Sequence, residues 1–213
     1  MFNIFETGTD DINYLIENAG TNILVNGNST RAIITNTPLN EFYDGKKITT
    51  LSLIKRGDIV VYENSKYLIT SESDTIRNNK YKSIMRKCEF EIYIKIDEIK
   101  TPNGKYDYLG QPEYDTTEIH ELFPVIVDSQ TFDVQNGQAI NMPIGTILVS
   151  FQDNGNTNFI KLDHRFIKFG NPWKIVGIDR TKKGLVTLTA EIGQISSYDD
   201  IENEIAYDYE QVT

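Results

Sequence analysis

The chain has 213 residues, of which 39% are hydrophobic and 24% charged, with a single cysteine and a formal net charge of −10. That length and apolar content suit one large or two small packed domains. One thiol excludes an internal disulfide and a cysteine zinc cluster, and no apolar run approaches the ~20 residues of a membrane-spanning helix. The opening residues lack the basic and apolar regions of a signal peptide, so synthesis in the cytosol and no membrane contact are expected.

Charge is unevenly placed. Residues 1–97 carry 13 acidic and 12 basic side chains, residues 98–195 carry 12 and 9, and residues 196–213 carry 6 and 0, giving −1, −3 and −6. No stretch reads as a dense basic stripe of the kind that neutralises phosphates, which argues against sequence-specific nucleic-acid binding.

In chain order the first predicted element is a helix over 10–19. In "DDINYLIENAG", Ile12, Leu15, Ile16 and Ala19 recur at three- and four-residue spacing, Thr9 or Asp10 can cap the start and Gly20 can end it. A helix of about 10 residues is too short to persist alone in water. It must cover its own β-domain, as short amphipathic helices ordinarily do, or pack on a neighbouring subunit.

From there the period is two. "CEFEIYIKID" places Cys88, Phe90, Ile92, Ile94 and Ile96 on one side and Glu89, Glu91, Tyr93, Lys95 and Asp97 on the other. "LVTLTAEI" turns Val186, Leu188, Ala190 and Ile192 inward and Thr187, Thr189 and Glu191 outward. Turns are signalled at Asn26-Gly27, Asn103-Gly104, Asn136-Gly137, "DNGNTN" (153–158) and "KKG" (182–184). The Arg-Gly-Asp triplet at 56–58 precedes "IVVY", the polar turn "ENSK" and "YLITSE". An adhesion triplet needs an exposed loop apex. Here Gly57 is expected to supply a turn into a strand, with Arg56 solvated and Asp58 closing the strand edge.

The expected fold is all-β: two small β-barrel or sandwich domains in series, with a short N-terminal helix and an acidic C-terminal tail. The boundaries read as an arm and helix at 1–20, a first β-domain at 21–97, a linker or long hairpin at 98–121, a second β-domain at 122–195 and the tail at 196–213. Each domain is expected to end in one of the two alternating strands. An echo at a spacing of about 106 residues, Tyr67 with Trp173 and Ile69 with Ile175, fits two related domains or two unrelated hairpins.

Catalytic patterns are scarce. The chain holds no phosphate loop, no Gly-x-Ser-x-Gly and no His-Glu-x-x-His. Its two histidines, His120 and His164, belong to no spaced ligand cluster and read as ordinary solvated or hydrogen-bonded imidazoles. Cys88 reads as a small buried hydrophobe, and Asp153, Asn154, Asn156 and Asn158 as a polar turn without the closing glutamate of a calcium loop. No catalytic residue, metal or cofactor is expected.

Two segments carry a resemblance. "LIKRGDIVVYENSKYLITSESDTIRNNKYKSIMRKCEFEI" and "RFIKFGNPWKIVGIDRTKKGLVTLTAEI" followed by "DDIENEIAYDYE" resemble structural proteins of tailed bacteriophages, the second through Arg165, Phe169, Gly170, Trp173, Asp179, Gly184 and Leu185. The resemblance covers roughly half the chain. It implies a virion component made in the host cytoplasm, at the head-to-tail neck or in the tail.

The tail "SSYDDIENEIAYDYEQVT" sets Ile201, Ile205, Ala206 and Tyr209 at helical spacing. As a charged terminal segment it should be ordered only by a partner, and a neighbouring subunit with a basic docking site is the expected one. Candidate subunit contacts are therefore Ile12, Leu15, Ile16, Ile201, Ile205 and Tyr209. Three functions follow from different classes. The first is a non-enzymatic ring-forming head-tail connector, a homo-oligomer meeting portal-side or tail-side rings, whose negative charge suits a passive DNA conduit. The second is a capsid decoration or tail-tip module meeting a host surface through Tyr106, Tyr108 and Tyr114. The third is a carbohydrate-active or metal-dependent enzyme, for which no locating motif is present.

Overall fold

The computed structural model describes residues 9–38, 45–76, 80–129 and 145–208. The Asn136-Gly137 pair and Tyr209 lie outside them. The protein is mostly β, with two barrel-like sheets in series and, among the described residues, one short α-helix at the front. Two compact units are present. The first is residues 1–89 with 151–153 and 180–185, and the second is 90–150, 154–179 and 186–213.

The first unit opens with α1 (Thr9–Ala19), followed by β1 (Thr21–Val25), β2 (Asn28–Asn36), β3 (Gly45–Thr50), β4 (Ile59–Tyr62), β5 (Ser65–Ile69), β6 (Asp74–Ile76) and β7 (Lys80–Lys87). The strands run β3-β2-β1-β4-β5-β7, and β7 pairs back onto β3, so six strands close on themselves. Closure works because β7 serves three partners. One edge bonds β3 from Tyr81 to Arg86, while the other bonds β6 near Lys82 and β5 near Met85. Period-two alternation then turns Ile23, Ala32, Ile48, Val60, Tyr67, Ile69 and Met85 into one core.

Local chemistry sets the turns. Asn26 and Gly27, both at positive φ, join β1 to β2, and Glu63 and Asn64, also both positive, join β4 to β5. The helix ends where expected. Gly20 N–H returns to the Ile16 carbonyl at 3.0 Å, and a Cβ on Gly20 would sit 2.2 Å from that oxygen. Arg31 of β2 donates to the Glu17 and Gly20 carbonyls at 2.5 and 2.8 Å, so the helix is capped by its own unit. Ile16 is buried in that unit.

The Arg-Gly-Asp triplet is structural. Gly57 (φ +93°) faces Gly184 (φ +88°) so closely that a Cβ on Gly57 would lie 1.8 Å from the Gly184 carbonyl, and one on Gly184 would lie 2.0 Å from that of Arg56. Arg56 was expected in solvent but is largely covered. Its Nε donates to the Lys183 carbonyl at 2.9 Å and its guanidinium pairs with Glu72 at 2.9 Å. Asp58 accepts the Lys55 N–H at 2.7 Å and the Asn26 side-chain amide at 2.8 Å.

The second unit holds β8 (Phe90–Tyr106), β9 (Pro112–Ser129), β10 (Thr146–Gln152), a 3-10 turn (Asn156–Phe159), β11 (Arg165–Lys168), β12 (Asn171–Asp179) and β13 (Leu185–Ile192), in the order β11-β12-β13-β10-β9-β8. The edge strands β8 and β11 come together, with Phe90 edge-on to Phe169 at 4.9 Å. Buried residues include Ile92, Ile94, Phe123, Val125, Val149, Phe166, Trp173, Ile175, Leu188 and Ala190. Leu188 and Ala190 point inward as their alternation predicts, and only the end of that strand departs, with Ile192 exposed.

Several boundaries differ from the sequence reading. The first unit's long run ends at Glu89, and β8 belongs to the second unit, because its partner along its whole length is β9. Residues 98–121 are mostly paired strand, forming the far part of the β8–β9 hairpin. Asn103-Gly104 marks an irregularity inside β8, and the turn itself falls at 107–110. Cys88 lies between strands and is half-buried. "DNGNTN" forms the 3-10 turn, in which Asn154 Oδ1 accepts the N–H groups of Asn156 and Thr157. Tyr67 and Trp173, and Ile69 and Ile175, are all buried.

The glycine pair yields the first test. Gly57→Ala or Gly184→Ala forces a methyl into a backbone carbonyl and should cost at least about 2 kcal/mol in urea unfolding. Gly104→Ala, also at positive φ but facing open space, should cost about 1 kcal/mol.

Candidate functional site: a C-terminal clasp and a hairpin arm

The clasp begins with a bulge. Lys95 pairs with His120 and Asp97 with Ile119, leaving Ile96 as an extra residue in β8. Regular alternation would put Lys95 and Glu98 on opposite faces. The extra residue brings both to the face that carries Glu118 and His120. Lys95, expected to point into solvent, is buried, and its Nζ reaches Glu118 at 3.0 Å, Glu98 at 3.1 Å and Asp208 at 3.4 Å.

Residues 194–208 close over that face. Asp199, with no exposed side-chain surface, takes a two-pronged bond from Arg165, whose Nη2 and Nη1 reach its oxygens at 3.0 and 3.1 Å. Arg165 also donates to the carbonyls of Tyr207 (2.7 Å) and Gln194 (3.2 Å) and to Asp208 (3.3 Å). The remaining oxygen capacity of Asp199 accepts the N–H groups of Ser196 and Tyr207. Between these points the chain makes a small closed loop. Asp200 and Ile205 exchange backbone hydrogen bonds at 2.9 Å, Asn203 donates to Asp200, and Lys168 Nζ holds Glu204 at 2.5 Å. His120 donates through Nε2 to the Ala206 carbonyl at 2.9 Å and stacks edge-on with Tyr207 at 5.0 Å.

Burial governs the electrostatics. The Glu118 carboxyl is pushed up, chiefly by burial, against the pull of Lys95. Burial alone would lower the Lys95 ammonium, but its hydrogen bonds to Glu118 and Glu98 outweigh this and raise it. Arg165 is raised in the same way by Asp199 and Asp208 acting against burial. Both imidazoles are lowered, first by burial, so each is held neutral in the fold.

The tail expectation is therefore corrected. Residues 201–204 form turns, so the helical spacing of Ile201 and Ile205 does not become a helix. Ala206 is buried, Ile205 half-buried and Ile201 50% exposed. Where a basic site on a neighbouring subunit was expected, the tail meets Arg165, Lys168 and Lys95 of its own unit. In the front helix Ile16 is buried and Leu15 is 51% exposed; the side chain of Ile12 and the whole of Tyr209 lie outside the described residues. His120, read as a solvated or hydrogen-bonded imidazole, is hydrogen-bonded within the clasp with its side chain almost fully covered.

The arm is the far end of the β8–β9 hairpin. At its tip Asp107 accepts the N–H groups of Leu109 and Gln111, each at 2.8 Å, and Gly110 (φ +78°) returns its N–H to the Asp107 carbonyl. Asn103 ties the two strands by donating to Asp115 at 3.1 Å. The tip is thus pre-shaped while its large side chains lie open: Tyr108 is 94% exposed and Leu109 67%, with Tyr106 and Tyr114 exposed beside them. Among the described residues no group of three or more metal-ligating side chains converges.

Two barrel-like sheets in series, one clasped by its own acidic segment and extended by an arm, define a tandem small-barrel β-protein. The family model of the YomX C-terminal domain matches residues 21–191, and the chain belongs to that phage-derived family. No curated protein and no solved structure matches it.

Two tests follow. Arg165→Ala strands the buried Asp199 carboxylate and should cost about 3 kcal/mol in urea unfolding, with faster proteolysis after residue 195. Because the folded state lowers both histidines, the unfolded chain takes up protons first as pH falls. Stability should therefore drop as pH falls below the usual imidazole value near 6.5. Glu118, raised in the fold, works in the opposite sense at lower pH, where its protonation relieves a buried charge. Thermal melts from pH 7.5 to 5.5 should show the first decline, and His120→Asn with His164→Asn should flatten it.

Proposed function

We propose that this chain is a non-enzymatic structural component of a phage particle, a ring-forming protein of the head-tail interface that meets other copies of itself and portal-side or tail-side rings. The observation that carries the reading is membership of a phage-derived family across residues 21–191. Three features support it. The groups best suited to acid-base work, Lys95, Glu118 and His120, are engaged in fastening the C-terminal segment. The exposed surface offers protruding apolar contacts, with Leu15 and Ile201 available to neighbours. A chain of net charge −10 suits a passive DNA conduit better than a DNA grip.

A capsid decoration or tail-tip protein is the second reading, favoured by the exposed tyrosines of the arm. Electron microscopy and mass spectrometry of purified particles decide between them. A fixed copy number at the neck or tail junction, and unjoined heads and tails when the gene is deleted, is the expected result. Density on the capsid surface or at the tail tip favours the second reading, and absence from particles overturns both.

A further inference from the structure

Strands β3 and β7, paired along their length, carry six cations and no carboxylate; alternation sets Lys47, Lys80, Lys82 and Arg86 on the face turned away from Ile48 and Met85, and Lys46 and Lys87 on the other. This basic face went unnoticed in the sequence because it is split between two segments 30 residues apart. On it Lys47 lies opposite Ile84, and Thr49 opposite Lys82. These four side chains, with Thr35 and Glu72, line a shallow cleft of about 390 Å³. Glu72, its one carboxylate, is paired with Arg56, whereas Lys47 and Lys82 make no ion pair among the described residues. Ile84, in the middle, is 41% exposed.

The distal arm is complementary in each respect. Residues 103–115 hold three carboxylates, Asp107, Glu113 and Asp115, against one cation, Lys105. The tip projects Tyr108, 94% exposed, and Leu109, 67% exposed. Its turn is already fixed by Asp107, so docking would order little new backbone. A polyphosphate would match the cations but would leave Ile84 against charge. An acidic tip bearing an aromatic and a leucine matches both.

We propose that the arm of one copy docks in the β3–β7 cleft of the next, with Tyr108 and Leu109 against Ile84 and the arm's carboxylates among Lys47 and Lys82. The two surfaces differ, so the contact is head-to-tail and generates a closed ring or an open filament rather than a two-fold dimer. The inference rests on the reading of the chain as a ring-forming particle protein and names the contact that builds the ring.

The test uses full-length chains. Leu109→Cys protein is mixed with Ile84→Cys protein and oxidised, and each is also mixed with wild type to control for Cys88. A disulfide-linked dimer joining the two variants, and absent from both controls, is expected. In sedimentation equilibrium, Lys47→Glu with Lys82→Glu should weaken self-association by about tenfold, and Glu113→Lys should restore part of it. A wild-type chain that stays monomeric to millimolar concentration overturns the proposal. So does assembly without the cross-link, and so does an unchanged assembly constant with loss of DNA retention, which would assign the face to nucleic acid. The proposal fails alone if the protein is found in particles but the cross-link does not form. Absence from particles is instead the failure of the functional reading.

Discussion

A buried guanidinium organises the second unit. Arg165 sits at the start of an edge strand with little access to water, and a guanidinium there must find acceptors for its N–H groups within the protein. Both oxygens of Asp199, the carbonyls of Gln194 and Tyr207, and Asp208 supply them, all from the C-terminal segment. Folding the segment back is thus tied to placing β11. The net stabilisation from such a pair is small, because desolvation offsets most of the attraction, but removing either member leaves an unpaired charge inside. What the pair supplies is a single geometry for a segment that has few apolar side chains to fix it.

The same interaction fixes where the acidic tail goes. An acidic tail looks like a tether for a neighbour when its charge is counted in isolation. In the fold three of its six carboxylates, Asp199, Glu204 and Asp208, meet Arg165, Lys168 and Lys95, and a fourth, Asp200, is occupied by Asn203. Four of the five described tail carboxylates are therefore engaged within the chain.

Much of the fold could be read from period and turn chemistry. Alternation in "LVTLTAEI", the Asn26-Gly27 turn and the stop at Gly20 each depend on local geometry, and each appears as read. The clasp could not be read so easily. Its key step is one inserted residue, Ile96, which preserves the look of an alternating strand while moving Lys95 and Glu98 to one face. The far ends of its bonds are also remote in sequence: His120 to Ala206, Lys95 to Asp208. One usable signal was present, the Asp-Asp-x-x-Asn pattern of a side-chain-capped turn at 199–203. The Arg-Gly-Asp triplet was read as structural for the right glycine, but Arg56 was misplaced because its acceptor, the Lys183 carbonyl, lies 127 residues away.

Engagement of the tail within its own unit bears on the contact proposed for the arm. Were the acidic segment free, that of any copy would be a flexible counter-charge for exposed cations, and a specific contact would have to compete with it. Held by Arg165, Lys168 and Lys95, three of its carboxylates are already engaged within the second unit. Screening at ~0.15 M salt confines the attraction to about 8 Å, so only a group that physically enters the cleft can use it. A short, pre-shaped arm with three carboxylates near an exposed leucine meets that condition, whereas a diffuse negative surface does not. The clasp thereby removes the tail as a competitor for the proposed contact between arm and cleft.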